Sequence, residues 1–253
     1  MKHLAFTFLL SFFLFTIHSF GQNLNHEIGL SVGATSMQTD YKERANDFVG
    51  SYRNVGFVVG ASYYLSFSPS AVRWNDRTVF LKNHFRLKLD ANYIQNTFAH
   101  RGRSIYANSN LVDAAKMAAM EGSTKIYNFG GHIEYLIFDS YYDRKFEPYL
   151  VGGLYYTIYD PEVESKLGDW KDNPTLLPEE YLNGGIHLDQ AITQSFAFGA
   201  GSRYNVGNLT LFFELKAQRF MSDEVEGLNP QTGDNKTKDW LSSAQFGVIF
   251  KIH

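Results

Sequence analysis

The sequence predicts an all-β fold, a closed antiparallel transmembrane β-barrel of about eight strands preceded by a cleaved leader. Three observations carry that prediction. A short apolar run at the N-terminus ends in a peptidase-type pattern, eight later segments alternate apolar with polar or small residues, and the connections between them run long and short in turn.

Lys2 and His3 precede an apolar run from Leu4 to Ile17, and the small residues Ser19 and Gly21 stand three before and one before the expected cut. The run is shorter than the ~18 residues a spanning helix needs. Residues 1–21 are therefore expected to be a signal peptide and 22–253 the barrel domain. No later stretch is apolar over a comparable length, which leaves strands as the means of crossing a bilayer.

The third segment alternates most plainly: Phe85, Leu87, Leu89, Ala91 and Tyr93 share one face, and Arg86, Lys88, Asp90 and Asn92 the other. The first sets Ile28, Leu30 and Val32 against Glu27, Gly29 and Ser31, and the second sets Phe57, Val59 and Tyr63 against Gly56, Gly60 and Ser62. In the fourth, Phe129, Ile133 and Tyr135 oppose Gly130, His132 and Glu134. The fifth, residues 146 to 159, is less clean because tyrosines fall on both faces. The sixth opposes Phe196, Phe198 and Tyr204 to Gly199, Gly201 and Arg203, the seventh Leu211, Phe213 and Leu215 to Glu214 and Lys216, and the eighth Phe246, Val248 and Phe250 to Gln245 and Gly247. One face is thus apolar enough for lipid. The other is charged or glycine, which suits a narrow interior.

Barrels of this type join strands by short periplasmic turns and longer outer loops. Met37 to Arg53, Ala99 to Gly122, Asp160 to Thr193 and Met221 to Asp239 are long, whereas Asp139 to Lys145 and Asn205 to Asn208 are short. Ser68 to Asn83 breaks the alternation with a long periplasmic connection carrying Arg73, Trp74 and Arg77, where either an ordered docking lobe or a loose insertion is expected. Leu111 to Met120, rich in good helix formers, is expected to be a short helix within an outer loop.

Parity places Glu27, Arg86, Lys88, Asp90, His132, Glu134, Arg203, Glu214 and Lys216 inside, a near-balanced set expected to pair across the lumen as a structural charge network. The acids Glu162, Glu164, Asp169, Asp172, Glu179 and Glu180 read as a solvated loop surface, because no calcium-type spacing joins them; no metal or other cofactor is expected. His100, Ser104, Ser109, Asp113 and His187 are polar outer-loop residues that no nucleophile motif connects, so no catalytic residue is assigned.

Composition agrees. Charged residues make up only 19% and aromatics 16%, as interfacial girdles require, and the net charge of -3 offers no footprint for nucleic acid. With no cysteine, disulfides, thiolate metal sites and a lipidated N-terminal cysteine are excluded.

Several stretches carry a family resemblance. His26-Glu27-Ile28-Gly29-Leu30 followed by Thr39-Asp40-Tyr41, then Phe146-Glu147-Pro148-Tyr149 through Tyr155 with Asp160-Pro161, and finally Phe220-Met221-Ser222-Asp223 through Gly227-Leu228 resemble a flavobacterial family of outer-membrane β-barrels. That family is itself similar to the PorG barrel of the type IX secretion system, and the resemblance spans nearly the whole mature chain. It implies an outer-membrane location, lipid around the barrel, and an anchoring role with periplasmic or outer-membrane secretion proteins as partners. Arg73, Trp74, Arg77, Asp223 and Gly227 are the candidate partner-docking residues. A narrow solute channel and a lipid-modifying enzyme are the alternatives.

Overall fold

The structure is a computed structural model that describes residues 24–39, 54–69, 71, 77–100, 111–142, 144–182, 184–229 and 239–252. The expected signal peptide lies outside them, as do Arg73, Trp74, Ser104 and Ser109. Eight antiparallel strands close on themselves in sequence order: β1 (Leu24–Gln38), β2 (Val55–Phe67), β3 (Phe85–Ala99), β4 (Met120–Leu136), β5 (Phe146–Ser165), β6 (Ala191–Val206), β7 (Leu209–Phe220) and β8 (Trp240–Ile252). Two helices sit in the connections, α1 (Arg77–His84) before β3 and α2 (Leu111–Ala119) before β4.

Pairing partners traced once around the barrel start at Ile28, pass through Tyr63, Leu89, Gly131, Leu154, Phe196, Arg219 and Trp240, and return to β1 at Gln38, ten residues further on. Stagger of this kind comes with strands tilted by about 35–45° and leaves an interior that side chains can fill.

Leu30, Leu89, Phe129, Leu154, Phe198 and Leu215 are about half exposed on the outside, on strands from around the whole barrel. In water such a belt would be untenable; in lipid it is the required exterior. Aromatic rings flank it at two levels, with Phe57, Tyr93 and Tyr127 in contact near the long loops and Phe85 against Tyr135 near the short turns. Among the described residues no helix is long and apolar enough to cross a membrane, so the strands do the crossing. A closed eight-stranded barrel with this belt, these girdles and this loop asymmetry is an outer-membrane protein.

Two boundaries differ from those the sequence suggests. β4 begins at Met120 and β5 runs to Ser165, so Glu162 and Glu164 belong to a strand rather than to a loop. A crossing takes only ~9–11 residues, and the 20-residue β5 therefore stands well clear of the bilayer. The break in the periplasmic alternation resolves into α1, which docks under the rim: His84 Nδ1 lies 2.7 Å from the Leu136 carbonyl oxygen, and Ser140 N donates to Asn83 O at 3.2 Å.

Candidate functional site

The lumen is layered from the periplasmic mouth outward, and parity along each strand sets the layers. Near the mouth, Arg86 faces Glu27 at 3.9 Å and Glu147 at 3.7 Å. Next, Arg203 pairs with Glu134 and lies between the rings of Tyr64 and Tyr149, 4.8 and 5.2 Å from their centroids. Lys88 Nζ then meets Glu214 at 3.2 Å, while Lys216 Nζ reaches Glu214 at 2.9 Å and Asp90 at 3.2 Å. Tyr149 donates its hydroxyl to Glu214 at 3.0 Å, and Ser62 and Tyr155 donate theirs to Asp90. Glu214 and Asp90 thus each receive both a cation and a hydroxyl, the condition under which a buried charge is tolerated.

All nine residues of the expected interior charge set lie inside the barrel. His132 is the one that joins no ion pair; its ring packs edge-on against Tyr155, centroids 4.4 Å apart, and neither ring nitrogen is hydrogen-bonded. Glu147, Tyr64, Tyr149 and Tyr155 belong to the same network and are absent from the sequence-derived set. Parity from Glu147 would have found the last two, but Tyr156 on the opposite face obscured which face was which.

Above the charges comes a neutral polar layer. Asn128 Nδ2 donates to Asn92 at 3.0 Å and to Gln218 at 3.1 Å, Thr157 donates to Asn128 at 2.6 Å, and Gln218 donates to Ser195 at 2.8 Å. The outer end is then closed by apolar side chains. Strand residues Met37, Ile94, Met120 and Phe220 pack with Leu177 and Tyr181 of the β5–β6 loop and Val225 and Leu228 of the β7–β8 loop, all buried. An isolated bridge between Ile186 and Leu228 ties the two loops together.

The outer rim carries the remaining candidates in separate settings. His187 Nδ1 pairs with Glu224 at 2.9 Å, Asp113 with Lys116 at 3.7 Å within α2, and His100 packs beside the Tyr181 ring, centroids 6.1 Å apart. Burial pushes the His100 imidazole down to about 4. On the outer face, Lys125 donates to Glu162 at 2.8 Å; that bond holds the exposed Glu162 carboxyl below, and the lysine above, its usual range.

Of the expected docking residues, Arg77, Asp223 and Gly227 fall among the described residues, at opposite ends of the barrel. Arg77 opens α1 at the periplasmic rim, whereas Asp223 and Gly227 lie in the β7–β8 loop at the opposite end. Gly227 has a turn role: its φ of 86° is left-handed, its N–H donates to Glu224 O, and its carbonyl accepts from His187 N.

No protein-family model matches the chain, and no curated protein matches it. Among solved structures it is similar to the N-terminal β-barrel domain of Pseudomonas aeruginosa OprF, at 13% identity over 88% of this chain and 97% of that one with a TM-score of 0.36. It is also similar to the outer membrane enzyme PagL, at 12% identity over 89% and 99% with a TM-score of 0.38. A major outer membrane protein from Thermus thermophilus aligns at 9% identity over 90% and 99% with a TM-score of 0.48. These likenesses concern the barrel alone and transfer no activity.

Proposed function

We propose that the chain is a non-enzymatic outer-membrane barrel that acts as an envelope anchor, holding a periplasmic protein against the membrane. The observation that carries this reading is the closed lumen: charged, amide and apolar layers fill it in turn, so function falls to the rims. At the periplasmic rim, α1 leaves Phe80 and Leu81 about half exposed beside Lys82, with the Phe80 ring against His84 and edge-on to Phe85. The resemblance to the PorG-like family suggests that the partner belongs to the type IX secretion apparatus.

Cross-linking in intact cells followed by affinity recovery tests the anchor. Recovery of a periplasmic or envelope protein by the wild type, lost in a Phe80→Ser/Leu81→Ser variant that still folds and inserts, is the expected result. Equal recovery by both proteins, or recovery of none, would overturn it.

A further inference from the structure

Inside the periplasmic mouth is a cavity of ≈300 Å³, at the lower end of the size range of ligand sites. Its walls come from the ends of β1 to β6 and β8, the β4–β5 turn and α1, and they are rich in charge: Lys82, Arg86 and Lys251 against Glu27 and Glu147. Three cations against two carboxylates leave the cavity with an excess of positive charge.

The bonding of those cations is incomplete. Arg86 makes no side-chain hydrogen bond among the described residues, and its contacts with Glu27 and Glu147, at 3.9 and 3.7 Å, exceed the ~2.7–2.9 Å of a charge-assisted hydrogen bond. Its guanidinium is largely buried, with 14% of the side chain exposed, so it presents a planar fork of donors to the cavity rather than to bulk water. Lys82 and Lys251 enter no ion pair among the described residues and stand at the lip. The acids behind Arg86 hold it in place without occupying its donors, and Glu27 is shared with Arg203, again at 3.9 Å.

We propose that this vestibule is a carboxylate-binding site that takes the free C-terminal end of a periplasmic polypeptide. Arg86 would grip the carboxylate with two N–H groups, Lys82 and Lys251 would draw it in, and the apolar Phe67, Leu136 and Ile252 of the same lining would meet the side chain beside it. A peptide end suits the site better than an isolated ion because polar and apolar surface lie side by side at its lip. The proposal rests on the anchor reading and names the chemistry by which the partner is held.

Calorimetric titration of the purified full chain in lipid nanodiscs tests it with three probes: N-acetyl-Ala-Ala-Leu as the free acid, N-acetyl-Ala-Ala-Leu-amide, and inorganic phosphate. The free acid is expected to bind, with affinity falling at least about tenfold for the amide and about tenfold again in a Lys82→Glu/Lys251→Glu variant, and weakening as salt is raised. Those lysines make no ion pair among the described residues, so the variant keeps the barrel intact, which a thermal melt verifies. No binding of the free acid, equal binding of the amide, phosphate binding as tightly as the peptide, or a variant that binds normally each overturns the carboxylate site. Should the site fail while recovery of a cross-linked partner still depends on Phe80 and Leu81, the vestibule proposal falls and the anchor stands.

Discussion

Arg203 and Glu134 form an ion pair in the periplasmic half of the lumen, with side chains 1% and 0% exposed. Tyr64 and Tyr149 cover the guanidinium, so neither charge has water to fall back on. Removing Arg203 leaves Glu134 buried with no ion-pair partner among the described residues, and removing Glu134 leaves Arg203 only the longer contact with Glu27 at 3.9 Å. Arg203→Met and Glu134→Leu are each expected to cost about 3–5 kcal/mol in urea titrations of the folded barrel in lipid, whereas the double variant Arg203→Met/Glu134→Leu should recover much of that loss. Losses that simply add would show that the pair is not coupled.

Adjacent glycines on β5 give a second contrast. A Cβ on the inward Gly153 would collide with the Gly131 carbonyl oxygen and lie 2.7 Å from His132 Cα, while one on the outward Gly152 would meet nothing nearer than 3.9 Å. Backbone cannot give way as a flexible side chain can. Gly153→Ala should therefore destabilise by roughly 1–3 kcal/mol and lower refolding yield, with Gly152→Ala within about 0.5 kcal/mol of wild type. Similar stability of the two variants would contradict the assigned faces.

The outer cap should respond to acid through His100. Its imidazole titrates at about 4 when folded, against ~6.5 in an unfolded chain, so the unfolded state binds the additional proton first. The stabilisation is complete above pH ~6.5 and declines as the pH falls toward 4, by up to about 3 kcal/mol. Hydrogen exchange in the segment around Tyr181, measured between pH 7 and pH 4, should accelerate in the wild type and stay flat in His100→Gln. A flat wild-type profile would show that the ring is solvated.

Parity made the barrel legible. Arg86, Lys88, Asp90 and Asn92 in β3 and Glu214, Lys216 and Gln218 in β7 take successive alternate positions, so Lys88, Asp90, Glu214 and Lys216 could be assigned to the lumen from spacing alone. Three features were not legible. The outer ends of β4 and β5 pass beyond the lipid, where the outward face no longer has to be apolar, so Ser123 and Glu162 pair in register with no alternation to reveal it. The cap depends on Leu177, Tyr181, Val225 and Leu228, loop residues whose burial comes from contacts distant in sequence and leaves no local period. α1 is similar: it is stabilised by docking of His84 and Asn83 onto the rim and has no strong helical pattern of its own.

With side chains filling the lumen from the charged layers to the apolar cap, the proposed anchor function falls to the rims. Planar-bilayer recording of the purified protein tests that filling most directly. Wild type and an Arg86→Ala variant, which alters only the periplasmic mouth, are both predicted to give no unitary ion conductance, because the Lys88–Glu214–Lys216 layer and the apolar cap remain in place. A reproducible unitary conductance in the wild type, changed by Lys216→Ala in the lumen, would contradict the account and make the chain a channel.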